Sequence, residues 1–478
     1  MKHAIKLMAG AAIAVSLSAC DNGKETEPTE TTKTAKSETS EAFNKNPYPS
    51  TYKPYPSETV LLQGATVFDG IGNEYQNYDV LLKGGEIAEI GEGLEVDDDV
   101  EVVDASGKFV TPGIIDNHSH LGVYPSPGVS AHGDGNEASG PVTAEVWAEH
   151  GVWPQDPGFT RALAGGITSL QILPGSANLF GGRGVTVKNV LSRTVQGMKF
   201  PDAPYTLKMA CGENPKRVYG YGNGGFPGGA PYSRMGNMAG YRNSWIKAAD
   251  YKKKWDDWDP DSDEAAPARD LELDTLKGVL DGDILVHMHC YRADEMAQVI
   301  DMSKEFGYKV ASFHHAVESY KIADKLAEEN ICSSMWADWY GFKMEAYDGI
   351  RENIPMVHNA GACAIVHSDS DVGIQRLNQE AAKALADGRR VGIDISKADA
   401  WTWLSSNPAK SLGIFDQTGS LEPGKDADVV VWSADPFSVY ANAEKVYIDG
   451  ALMFDADRPQ KTPVTDFELG QPGEGDIK

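Results

Sequence analysis

The sequence is short of positive charge: 43 Lys and Arg stand against 70 Asp and Glu, a formal net charge of −27. Gripping a phosphate backbone needs a basic face, so this balance argues against nucleic acid as a partner. The acidic residues are spread along the chain, with small clusters such as Asp97-Asp98-Asp99, as on a solvated surface rather than in an acidic binding site. Cysteine is scarce too, with 5 residues and no C-x-x-C spacing, so no structural zinc knot is indicated. Cys211, Cys290, Cys332 and Cys363 lie in apolar or strand-like contexts. They are expected to be mostly buried free thiols, although an oxidising compartment permits disulfides. No G-x-G-x-x-G follows a first strand, and Gly181-Gly182-Arg183-Gly184 lacks the Lys-Ser/Thr of a phosphate-binding loop.

Long hydrophobic runs are missing as well. Behind Lys2 and Lys6, residues 7–19 are apolar and small but too short for a spanning helix, and they read as a secretory signal. The stretch ends in Leu17-Ser18-Ala19-Cys20, which resembles a bacterial lipobox. That resemblance implies acyl chains on Cys20, anchorage at the periplasmic face of a membrane, and no other membrane contact. Asp21 resembles an inner-membrane retention signal. Residues 21–57 are rich in Thr, Glu, Lys, Ser and Pro without apolar periodicity, and are expected to form a disordered tether.

What remains, about 420 residues, exceeds one typical domain. Short β-rich runs separated by Gly turns fill residues 58–112, among them Ala65-Thr66-Val67-Phe68 and Val80-Leu81-Leu82, with Gly84-Gly85 as a tight hairpin turn. The same texture returns over 415–478, in Val429-Val430-Val431-Trp432 and Val446-Tyr447-Ile448. Between these ends, residues 113–414 alternate apolar runs with helical periodicity, as in Ile284-Leu285-Val286 followed by Met296, Val299, Ile300 and Phe306, with Gly307 at a capping position. Repeated βα units over such a length fit an α/β fold of the TIM (β/α)8 barrel type, flanked by a small β-sandwich made from both ends.

The histidines carry the functional signal. Of 11, six fall in the groups His118/His120, His287/His289 and His314/His315, each ending an apolar run. Residues i and i+2 of a strand share a face, so His118 and His120 point the same way, into the mouth of a barrel. Alternation cannot choose between His287 and His289, and of the adjacent His314 and His315 only one is expected to point inward. Ala364-Ile365-Val366-His367-Ser368-Asp369 runs apolar and ends in an Asp, placed at the catalytic face of a barrel. Imidazoles with a carboxylate suit a zinc-like ion.

Val110-Thr111-Pro112-Gly113-Ile114-Ile115-Asp116-Asn117-His118-Ser119-His120 resembles the first-strand segment of the amidohydrolase superfamily, and Gly419-Ser420-Leu421-Glu422-Pro423-Gly424-Lys425-Asp426-Ala427-Asp428 resembles its C-terminal signature. Gln171-Ile172-Leu173-Pro174-Gly175-Ser176-Ala177-Asn178, the run from Gly212 to Gly220, and Arg292-Ala293-Asp294-Glu295 are most similar to the imidazolonepropionase-related branch. The resemblance implies His118 and His120 as first-strand ligands, His287 on the fifth strand and His315 on the sixth, with His289 and His314 as alternates. It implies Asp369 as the eighth-strand ligand that also handles the proton of the attacking water. It further implies two divalent ions, zinc by type, bridged by a carboxylated Lys208, with Glu213 or Lys188 as other bridging positions.

Such a set implies hydrolysis at a carbonyl-like carbon, most naturally a C–N bond. Deaminases of the superfamily place a Glu three residues after the fifth-strand His. Counted from His287 that position is Cys290, which favours cleavage of a small amide, dipeptide-like or cyclic amide substrate. Arg217, Tyr219, Arg234 and Arg292 follow or flank strand ends, where a substrate carboxylate could be met. Two other readings are a mononuclear deaminase or cyclic-imine hydrolase on the same fold, and a tethered binding protein without catalysis. The sequence leaves a homo-oligomer open.

Overall fold

The computed structural model describes residues 44–221 and 229–458. The lipobox reading of Cys20 and Asp21 lies outside them. Among the described residues no helix is long and apolar enough to cross a membrane.

Five strands open the chain: β1 (Val60–Phe68), β2 (Glu74–Lys83), β3 (Glu86–Gly91), β4 (Glu101–Asp104) and β5 (Phe109–Pro112). Lys83 pairs with Glu86 across Gly84 and Gly85, both at positive φ (66° and 89°), so the expected two-residue hairpin forms. The barrel strands follow: β6 (Ile114–Ser119), β7 (Ile167–Ile172), β8 (Phe180–Lys188), β9 (Tyr205–Ala210), β10 (Ile284–Cys290), β11 (Val310–His315), β12 (Cys332–Met335) and β13 (Ala364–Val366). The chain then returns through β14 (Val429–Trp432), β15 (Ala443–Ile448) and β16 (Ala451–Asp455). Antiparallel pairing of β14 with β5 joins both ends into one eight-stranded sheet, in which β1 carries β2 on one edge and β4 and β5 on the other.

The second eight-stranded sheet runs β6 to β13 in chain order, and strands such as β6, β7 and β9 are buried throughout. It departs from eight repeated βα units at one place, because β8 is antiparallel to both β7 and β9. Only residues 173–179 connect β7 to β8, too few for the crossover that a parallel step requires. Residues of the last helical region close the seam between β13 and β6. Val366 donates its N–H to Trp403 O (3.1 Å) and Ile115 to Leu404 O (2.8 Å), while at the mouth Asp369 N–H reaches His118 O (3.0 Å).

Two expectations are corrected here. The four cysteines are not free thiols: Cys211 is bonded to Cys290 and Cys332 to Cys363. Each pair joins the ends of neighbouring strands, Cys211 just after β9 to β10 and β12 to Cys363 just before β13, and the register Ala210↔His289 brings Cys211 and Cys290 side by side at the mouth. Residues 45–57, expected within the tether, pack on the folded chain instead. Lys45 pairs with Asp283 (2.6 Å), Thr51 N–H donates to Gln196 O (2.9 Å), Ser50 Oγ to Lys199 O (2.6 Å), and Lys199 Nζ to Tyr48 O (2.7 Å). Tyr48 packs edge-on against Trp147 and His150, and the Tyr52 and Tyr55 hydroxyls donate to Asp449 and Leu191 O. Composition hid this, because tyrosines spaced through a polar, Pro-containing stretch supply contact area without any strand or helix period. A chain beginning at Lys45 should therefore melt with the full-length protein, and one beginning at Glu58 on the order of 5 °C lower. Equal melting temperatures would return residues 45–57 to the tether.

Lys188, one of the bridging candidates, lies far down β8 from the mouth. Its ammonium meets Asp426 (2.7 Å), Asp428 (3.5 Å) and Asp449. Burial alone would lower its pKa, but these carboxylates outweigh it and raise the pKa. Asp426 and Asp428 of the C-terminal signature thus bind the barrel to the terminal sheet.

Candidate metal centre

At the mouth, side chains from β6, β9, β11 and the end of β13 converge. His118 Nε2 lies 3.3 Å from Lys208 Nζ and 3.5 Å from an Asp369 oxygen, and His120 Nε2 lies 3.2 Å from the same oxygen. His315 Nδ1 is 3.7 Å from the other Asp369 oxygen and 3.1 Å from His367 Nε2. Candidate donor atoms fall into two overlapping groups, His118 with His120 and Asp369, and His118 with His315 and His367, each within 4.8 Å.

Backbone geometry places these groups. Asp369 adopts φ 50°, His315 φ 68° and Ala316 φ 38°, sparsely populated values for residues other than Gly. The positive φ at His315 breaks strand alternation, so His314 and His315 both reach the barrel interior, and the expectation that only one would do so fails. His314 lies deeper, hydrogen-bonded to His118 Nδ1 (2.8 Å) and His287 Nδ1 (2.8 Å). Asp116 secures the seam below the cluster: its carboxylate accepts N–H groups from His118 (3.1 Å) and Ser368 (3.2 Å) and the Ser368 hydroxyl. Burial pushes its pKa up to about 7 against those hydrogen bonds.

Burial holds the rings of His118, His289, His314 and His315 well below the usual histidine range, His287 at about 3 and His367 at about 4. These imidazoles are neutral near pH 7 and offer lone pairs. Burial also lowers Lys208 to about 8, with Asp369 opposing it. For Asp369, burial works upward, but His120, His367 and Lys208 prevail and keep the carboxyl below its ordinary value. Its carboxylate remains 26% exposed, open at the mouth.

The fifth strand differs from its assignment. His287 sits below the mouth with both ring nitrogens engaged, by His314 and by Ser411 O (3.1 Å). His289 is the one beside His315, with ring centroids 4.7 Å apart, and its Nδ1 is buried with no partner among the described residues. Glu213 is outside the cluster: its N–H binds Glu345 (3.0 Å) and its carboxylate faces Lys343 (3.5 Å). Arg234 is tied to Glu295 (2.9 Å) and Glu345, and Arg292 pairs on the surface with Asp294 (2.9 Å). Arg217 is exposed near Tyr291 and Lys343, on which its charge acts. The Tyr219 hydroxyl is buried with no partner among the described residues.

Sequence reasoning missed His367, although the i, i+2 rule applied to Asp369 finds it. It also missed Trp336, which stacks on His315 (4.4 Å) and His367 (5.1 Å) and donates Nε1–H to Ser368 O (3.1 Å). Nothing but its place after β12 marked it in advance.

A buried ring of neutral nitrogens around one carboxylate, with the His289 and His367 Nδ1 atoms lacking partners among the described residues, leaves lone pairs that a cation would satisfy. The N/O donor set fits a divalent ion of zinc type. The structure of an amidohydrolase from Thermotoga maritima MSB8 matches at TM-score 0.75 and 38% identity, covering 83% of this chain and 100% of that one. The chain belongs to the amidohydrolase family. The family pattern itself matches residues 264–453. Amidohydrolase tasK of Hapsidospora irregularis is 34% identical over 411 residues, 81% of this chain but 41% of that protein. A dihydroorotase of Geobacter metallireducens is 28% identical over 138 residues, 29% of this chain and 27% of its own length. This amidohydrolase therefore spans less than half the length of the curated relatives it matches.

Proposed function

We propose that this amidohydrolase cleaves the C–N bond of a small amide, dipeptide-like, N-acyl amino acid or cyclic amide substrate, with Asp369 accepting and returning the proton. The observation that supports this most is the Asp369 carboxylate, partly open to solvent, within 3.2 Å of His120 and 3.5 Å of His118. We place His118, His120 and Asp369 around one divalent ion, and His118-adjacent Lys208, His315 and His289 or His367 around a second, with zinc as the natural choice. Bound there, such ions supply a lowered pKa for water and polarise the scissile carbonyl.

The protein's own groups do the rest. Asp369 holds the proton released from the attacking water and delivers it to the departing nitrogen. Lys208, neutral in part because burial lowers it to about 8, can add carbon dioxide at Nζ with loss of a proton. The resulting carbamate is a carboxylate-like donor in place of an unpaired buried ammonium. Trp336 and Tyr291 cover His315 and keep water from that side. Arg217 and the Tyr219 hydroxyl, which has no partner among the described residues, are our choice for a substrate carboxylate, since Arg234 and Arg292 are engaged elsewhere. Beside the His120 loop a cavity of about 640 Å³, lined among others by Val123, Asn136, Glu137 and Pro174, suits a small molecule.

Deamination has no support in the side chains. Three residues beyond His287 stands Cys290, bonded to Cys211, and three beyond His289 stands Arg292, paired with Asp294. Neither can shuttle a proton as a carboxyl group would. The two disulfides suit an oxidising compartment and so are in keeping with export; a lipid anchor on Cys20 at the periplasmic face is proposed on the lipobox resemblance alone.

Screening the metal-loaded protein against dipeptide and N-acyl amino acid libraries, with ammonia measured in parallel, tests the reading. New α-amino groups without matching ammonia are expected. Ammonia release with every amide left intact would replace it with deamination.

A further inference from the structure

Beneath the mouth, three imidazoles run in single file down the barrel. His118 Nδ1 meets His314 Nδ1 at 2.8 Å, His314 Nε2 meets His287 Nδ1 at 2.8 Å, and His287 Nε2 meets Ser411 O at 3.1 Å. All three rings are buried. Ser411 belongs to the last turn of the helix Ser406–Leu412, where carbonyls lack an intrahelical partner.

The carbonyl gives the file a direction. A backbone oxygen only accepts, so His287 carries its hydrogen on Nε2. A neutral ring has one N–H, so His287 Nδ1 accepts, and His314 must donate from Nε2. His314 Nδ1 is then the lone pair, and His118 must donate from Nδ1. The one nitrogen left as a free electron pair is His118 Nε2, the atom beside Lys208 and Asp369. No reversed arrangement exists, because the far end cannot donate. His120 also donates its Nδ1–H to a backbone carbonyl, Leu173 O, at 2.8 Å.

We infer that His314 and His287 are positioning residues which, through the Ser411 carbonyl, lock His118 in its Nδ1–H tautomer with Nε2 presented to the cluster. This rests on the metal-centre reading for its purpose but not for its hydrogen bonds. It also explains why polar rings occupy a place where Leu or Phe would fill the space: a filler carries no tautomer. The outer partner of a metal-binding His fixes its ring and its basicity, and here that partner is itself fixed from the barrel floor.

The test is long-range ¹⁵N–¹H correlation of the imidazole nitrogens in metal-free, ¹⁵N-His-labelled full-length protein, with zinc affinity measured by chelator competition. Expected are N–H groups at His118 Nδ1, His314 Nε2 and His287 Nε2. His314→Leu should leave His118 as a mixture of tautomers and weaken zinc by about 10–100-fold. His314→Gln, whose amide donates and accepts at once, should recover most of that loss. An N–H on His118 Nε2 or on His314 Nδ1 in the wild type would overturn the inference, as would unchanged zinc affinity in His314→Leu. If His314→Leu does not fold, the wild-type tautomers decide alone. The expected tautomers in a protein that binds no zinc would uphold the file and sink the metal reading; tight zinc with the opposite tautomers would do the reverse.

Discussion

Asp369→Asn should fold as the wild type does and lose about 10³–10⁴-fold in kcat. The fold is expected to survive because the backbone contact of residue 369 is an N–H to His118 O, which the substitution leaves alone. Asparagine also tolerates the left-handed φ of 50° found there better than most residues. What goes is the acceptor. An amide cannot take a proton from water at this pH, and its neutral oxygen is a weaker ligand for a cation held together with His118 and His120. Thermal melting separates chemistry from folding: an unchanged melting temperature with collapsed kcat is the expected pair of results. A variant within about 10-fold of wild type would move the proton acceptor elsewhere, with His289 a candidate.

How much of this could be read in advance differs from residue to residue, for physical reasons. The meeting of His118, His120 and Asp369 at the mouth was legible because it needed only strand alternation and the rule that barrels bear their chemistry at strand C-termini. Family membership and the barrel with its terminal sheet were legible from the motifs at either end. The choice between His287 and His289 was not, because both face inward and only depth separates them. Depth is set by ladder register, which slips between Val286 and His287 against β11. The alternation argument failed at His314 and His315 because a positive φ is a tertiary outcome that no local pattern announces. The disulfides depend on register between strands distant in sequence, Cys211 with Cys290 and Cys332 with Cys363. The antiparallel β8 was within reach, since the connection after Ile172 is visibly too short for a helix.

We propose the mouth of this barrel as a two-ion hydrolytic centre organised by Lys208. Lys208 is buried, with its Nζ 3.3 Å from His118 Nε2, and no carboxylate in ion-pair contact among the described residues. A bare ammonium in that position is costly, and a carbamate there would instead serve as a donor to bound cations. Elemental analysis of protein prepared without chelator, wild type beside Lys208→Ala, tests this most directly. About two equivalents of a transition metal are expected in the wild type and about one or fewer in Lys208→Ala, with kcat reduced on the order of 10²-fold or more. A single firm equivalent in the wild type, together with full activity in Lys208→Ala, would contradict it.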